Sequence, residues 1–237
     1  MIRSILIATT AALALAPAAQ AGTGAGYLLK HQRPSGGIAE AGTRKASVSL
    51  TEWAAMGLRA AGRSPGKARR PGGRTMTTYL AHHSSSWRNA FAIERGILAV
   101  VAIGKNPQNF AGRNLVKALR HRIGGNGAIG ATQNSTYWGV IALRAAGNPA
   151  PRRSLALIRG AQRANGGYSW SAAAGPDADD TSAAVMALRA AGESCAARMR
   201  ARAQRWTPSV PVAAMRSAGG GCGPRSGSET GTEDLRG

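Results

Sequence analysis

Cysteine is missing from the chain until Cys195, and Cys222 is the only other one. That absence excludes a thiolate-based zinc or iron–sulfur site from everything before residue 195. Whether the two late cysteines pair is not decided by their positions. Aromatic residues are also scarce, with two Phe, four Tyr and five Trp in 237 residues. They do not alternate with basic residues, as a surface that stacks single-stranded bases requires. Carboxylates are few, 10 against 31 Lys and Arg. Beyond the N-terminal segment no apolar run is long enough to cross a bilayer. The chain carries neither a Gly-rich phosphate loop nor a Gly-x-Ser-x-Gly nucleophile elbow.

The N-terminal segment has the three parts of a secretory signal. Arg3 gives a basic start, residues 5–16 are apolar, and Ala19-Gln20-Ala21 is a small-x-small cleavage site. Residues 1–21 are therefore expected to be a signal peptide, and the product to be secreted or extracytoplasmic. The net charge of +21 comes mostly from arginine, spread over the whole length and accompanied by abundant Ala and Gly. This skew suits a bacterial genome rich in G and C. The charge predicts contact with anionic surfaces, while the scattered arginines argue against nucleic acid as partner.

The strongest signal is internal repetition. Leu-Arg-Ala-Ala-Gly occurs at residues 58–62, 143–147 and 188–192, with a weaker copy, Val101-Ala102-Ile103-Gly104, between the first two. Aligning on Gly62, Gly104, Gly147 and Gly192 gives each unit a first helix, a glycine-rich turn and a second helix ending at the aligned glycine. First helices are expected at 25–32, 115–123 and 155–163. The turns are Ser35-Gly36-Gly37, Gly124-Gly125-Asn126-Gly127 and Asn165-Gly166-Gly167. Second helices are expected to begin near Thr51, Thr136 and Thr181 and to stop at a left-handed glycine, with Pro65, Pro107 and Pro149 shortly after. The second copy departs from this pattern: its helix is expected near Ile93-Glu94, and residues 63–74 read as a solvated linker. Adjacent His82 and His83 point to different helix faces, so no metal is expected there.

After Gly192 the period dissolves. Residues 198–206 resemble the start of a fifth first helix, with Ala203-Gln204-Arg205 echoing Ala161-Gln162-Arg163. The rest is either a disordered tail or a reading frame lost near residue 206, and the correct start of a fifth repeat favours the second. The expected divisions are 1–21 signal peptide, 22–192 repeat domain, and 193–237 partial fifth repeat with a disordered or frameshifted tail.

Residues 161–170, with Gln162, Gly166, Gly167 and Trp170, resemble the QW motif of the terpenoid cyclase and protein prenyltransferase α/α-toroid superfamily. His31-Gln32-Arg33-Pro34-Ser35-Gly36-Gly37 is a second partial match. The resemblance covers roughly residues 26–192. It implies an all-α fold in which α/α hairpins form a repeat solenoid, here an open or incomplete toroid. The superfamily contains cyclases, prenyltransferases and binders without catalysis, so the fold alone does not assign chemistry.

One segment could carry chemistry. Asp177-Ala178-Asp179-Asp180 matches the Asp-x-Asp-Asp motif of class II terpene cyclases. By that resemblance Asp179 would be the general acid, with Asp177 and Asp180 in support. Crowded carboxylates do not all ionise easily, so one can retain a proton to donate. Helix capping explains the same residues, because Asp is favoured at helix starts and in turns. The scarcity of aromatics argues against a cavity that hosts a carbocation. A zinc prenyltransferase is excluded by the lack of cysteine in the repeats. The expected function is non-catalytic binding of a small apolar ligand or a protein partner on the concave face, with no cofactor and no metal. The alternatives are a class II cyclase-like enzyme using Asp179 and a structural module of the cell envelope.

Overall fold

A computed structural model describes residues 24–193. The expected signal peptide, both cysteines and all of the tail beyond residue 193 lie outside the described residues. Within them the chain is all-α, and extended pairing is limited to isolated bridges. The elements are α1 (residues 24–30), α2 (Val48–Ala60), α3 (Met76–His82), α4 (Ala90–Ala102), α5 (Leu115–Arg120), α6 (Gln133–Ala145), α7 (Arg152–Gly160) and α8 (Ala178–Ala190).

The long helices α2, α4, α6 and α8 each have 13 residues. They pack in series, α2 on α4, α4 on α6 and α6 on α8, while α3, α5 and α7 lie against their neighbours in the chain. Their N-terminal ends share one side, because side chains of the first two turns meet across each junction. Thirteen residues span about 20 Å, so all four C-terminal ends lie on the opposite side.

Each long helix starts with a side-chain cap. Ser47, Asn89, Thr132 and Asp177 accept the amide three residues ahead, satisfying a donor that the helix leaves without a partner. These caps correct the expected starts. The repeated threonines sit one turn inside the helix, and α4 begins at Ala90, before Ile93. The threonines tie the helix to the preceding loop. Thr51, Thr136 and Thr181 donate to the carbonyls of Ser47, Thr132 and Asp177. The same hydroxyls accept from the amides of Ile38, Ile129 and Tyr168.

The pentapeptide is a helix exit. Leu58, Val100, Leu143 and Leu188 are fully buried, each such side chain contributing about 1.5–3 kcal/mol. Their carbonyls accept the amides of Arg63, Lys105, Asn148 and Glu193 at 2.9–3.1 Å. That closure needs a left-handed residue, which Gly62, Gly104, Gly147 and Gly192 supply with φ between 67° and 88°. The second copy is more regular than its sequence implies. Residues 63–74 contain a 3-10 turn, Pro65–Lys67, with Pro65 buried. The Thr77 hydroxyl and the Arg74 amide anchor the segment to Gly66 and Pro34. The helix α3 then serves as the missing first helix.

Candidate functional site

Two features emerge when the four long helices are compared position by position. The first is a ladder of buried carboxylates near their N-terminal ends. Glu52 of α2 accepts from the Trp87 indole and from Arg95 of α4, its ion-pair partner. Glu94 of α4 accepts from the Ser135 hydroxyl of α6 at 2.5 Å. Asp180 of α8 accepts from the Asn134 amide of α6 at 2.5 Å. Each junction thus carries one carboxylate and at least one donor, and the carboxylate changes sides between the second junction and the third.

Burial sets the protonation of this ladder, since a carboxylate loses hydration on leaving water. Glu52 is pushed up by burial, an effect opposed by Arg95 and Trp87. Glu94 is lifted to about 8, again by burial, with Ser135 and Arg95 pulling down. Its second carboxyl oxygen is buried with no hydrogen-bond partner, which suits a group that keeps its proton at neutral pH. Asp180 is raised to about 6 by burial, and then by Asp177 and Asp179, against the lowering effect of Asn134.

The acidic triplet therefore divides into three separate environments. Asp177 caps α8, its carboxylate accepting the Asp180 amide at 2.7 Å. Asp179 is exposed in the first turn. Asp180 is buried and directed into the α6–α8 junction. Asp177→Ala is expected to cost about 1 kcal/mol through loss of the cap, and Asp179→Asn almost nothing. Thermal unfolding of the two variants beside the parent checks the difference.

The second feature is a stripe along the same helices that faces water except at Asn134 and Ala183, which are buried. The second, sixth and ninth positions are Ser49, Trp53 and Met56 in α2 and Phe91, Arg95 and Leu98 in α4. They are Asn134, Trp138 and Ile141 in α6, and Asp179, Ala183 and Met186 in α8. At 100° per residue these three positions lie within about 60° of one another. A water-facing helix stripe is ordinarily polar, whereas this one is mainly apolar. Trp53 is 47% exposed and Met186 51% exposed. Met56, Phe91, Leu98, Trp138 and Ile141 are partly exposed.

Two aromatic contacts reach over a helix. Trp53 of α2 and Trp138 of α6 meet edge to face with ring centres 5.9 Å apart, although α4 packs between their helices. Phe91 of α4 and Trp170, in the loop before α8, stack at 5.3 Å, while the Trp170 carbonyl accepts the Asn134 amide. Side chains from alternate helices touch in this way only where the row of helices bends toward the side they occupy. The stripe therefore lines the inside of the bend, and Arg95 within it pairs with Glu52.

Among the described residues no three His, Cys, Asp or Glu side chains converge on a possible metal position. His83 holds the Tyr79 carbonyl through Nδ1 at 2.8 Å. The tripeptide Asn134-Ser135-Thr136 fits the glycosylation pattern, but Asn134 is buried in α6 and bonded to Asp180.

Sequence reasoning missed Glu52 and Glu94, yet the signal was present. Both stand ten residues before an aligned glycine, Gly62 and Gly104. Comparison of the chain with models of known families, with curated proteins and with solved structures finds no match.

Proposed function

We propose that this protein is an exported α/α-repeat protein that binds an apolar small molecule on the stripe of its long helices without turning it over. The carrying observation is the Trp53–Trp138 contact across α4, set in a bent, mainly apolar and solvent-open surface. A surface of this kind gains on the order of 25 cal/mol for each Å² of apolar area a ligand removes from water. The arrangement is read as an incomplete toroid of the terpenoid cyclase and prenyltransferase type. In support stand the 13-residue helices, their serial packing and their identical exits. The exposed Trp53 and Trp170 weigh against a purely structural module, in which these indoles would fill the core.

A class II cyclase-like activity is the second reading, favoured by one observation, the clustering of Asp177, Asp179 and Asp180 on the first turn of α8. Against it, Asp179 is exposed, and the carboxyl raised by burial is that of Asp180, which is engaged by Asn134 inside the α6–α8 junction. The open stripe also lacks the exclusion of water that a cation intermediate requires.

Titration with N-phenyl-1-naphthylamine, a neutral apolar dye, tests the binding reading. Saturable binding weakened at least tenfold in Trp53→Ala/Trp138→Ala supports it, and binding unaffected by that change removes it. Incubation with squalene tests the second reading. A cyclised product formed by the parent and abolished in Asp179→Asn would replace binding with catalysis as the function.

A further inference from the structure

Charge is divided between the two ends of the long helices. Glu40, Glu52, Glu94, Asp177, Asp179 and Asp180 all belong to the end where these helices begin. Among the described residues the single carboxylate at the exit end is Glu193, and it is paired with Arg159. The same end carries Arg59, Arg144 and Arg189 in the last helical turns. Arg63, Lys67 and Lys105 occupy the turns that follow, and Arg152 and Arg153 open α7. All eight side chains are exposed, and none makes a hydrogen bond or ion pair to another described residue.

Helix electrostatics explains only part of this. Cations in the last turn suit the negative end of the helix dipole, which accounts for Arg59, Arg144 and Arg189. It does not account for Arg152 and Arg153, which stand where α7 begins and the dipole disfavours them. The turn residues lie outside any α-helix. Four helices side by side, with axes about 8–10 Å apart, spread these charges over about 30 Å. No aromatic residue interleaves with them, so the surface lacks the stacking platforms of a nucleic-acid groove. A broad row of long, free cationic side chains matches a plane of phosphates.

We propose that the exit end of the long helices is a docking face for an anionic phospholipid bilayer, which holds the protein by charge with the apolar stripe left accessible. The inference does not depend on what the stripe binds. Each basic residue near such a surface strengthens binding about fivefold, and the attraction fades within a Debye length of about 8 Å at physiological salt.

Co-sedimentation of the full chain with vesicles of phosphatidylcholine and phosphatidylglycerol, 3:1, tests this at 0.15 M salt. The parent is expected to bind these vesicles and not pure phosphatidylcholine. Arg59→Gln/Arg144→Gln/Arg189→Gln should weaken binding about 100-fold, and Arg152→Gln/Arg153→Gln, which relieves the dipole conflict in α7, about 25-fold with the helix content intact. A control with equal charge loss at the other end, Arg44→Gln/Lys45→Gln/Arg88→Gln, all exposed and just before the starts of α2 and α4, should change binding less than threefold. Equal loss in the control would show that net charge alone is responsible and would overturn the assignment of a face. No vesicle binding would overturn it as well. So would tighter binding to duplex DNA than to vesicles that depends on the same arginines.

Discussion

Glu94→Gln is expected to make the protein more stable at pH 8 by on the order of 3 kcal/mol, and at pH 5 by less than about 1 kcal/mol. Burial lifts the Glu94 carboxyl to about 8, whereas the unfolded chain releases this proton near pH 4.3. The folded state therefore binds a proton that the unfolded state has lost. Stability from this group is complete below about pH 4.5, falls by up to about 1.4 kcal/mol per pH unit as pH rises, and levels off above 8. Water penetration and relaxation reduce the full effect, hence the smaller expected total. Glutamine keeps the acceptor for Ser135 and never ionises. Asp180 and Glu52 are raised in the same direction, so the parent retains a slope of this sign from them. Only the difference between parent and variant isolates Glu94. Urea unfolding at pH 5, 7 and 9 measures it, and parallel stability profiles would contradict a buried neutral Glu94.

Gly127→Ala is the second large effect, with an expected loss of about 3–5 kcal/mol. Two causes combine. Gly127 has φ 92°, a conformation that costs an L-residue about 1–2 kcal/mol. An added Cβ would stand 2.6 Å from the Arg153 carbonyl carbon and 2.7 Å from the Ser154 nitrogen. Both are backbone atoms of α7, and the Ser154 hydroxyl is bonded to the Gly127 carbonyl at 2.7 Å. Overpacking against atoms that do not rotate away costs a further 1–3 kcal/mol, roughly. Gly147→Ala separates the two causes, because Gly147 has φ 67° with nothing within 4 Å of an added Cβ. It should lose only about 1–2 kcal/mol. Equal losses in the two variants would show that the close approach to α7 has no energetic weight.

The helix exits were legible in the sequence because one residue type does one job there. A left-handed closing position selects glycine whatever surrounds it, so Gly62, Gly104, Gly147 and Gly192 marked the period without knowledge of tertiary contacts. The helix starts were less legible. Ser47, Asn89, Thr132 and Asp177 perform one task with four residue types, so identity hid the cap while the inward-facing threonine repeated. The second pair was obscured for a related reason: Ile93 replaces that threonine and a 3-10 turn precedes α3.

The candidate site was readable only in outline. Asp177, Asp179 and Asp180 stood out as a run, but their separation into cap, exposed side chain and buried junction partner depends on the angle each occupies on α8. The meeting of Trp53 with Trp138 comes from the bend of the helix row, which local pattern does not encode. Glu94 shows the same limit. Its register matched Glu52, yet the loss of an Arg partner in exchange for Ser135 is a property of which helix lies alongside.

The apolar stripe as a binding surface is tested most directly by dye titration of the parent and of Trp53→Ala/Trp138→Ala. The account expects saturable binding of N-phenyl-1-naphthylamine by the parent and affinity at least tenfold lower in the variant, with helix content unchanged. Equal affinity for the two proteins, or no saturable binding by the parent, would contradict it.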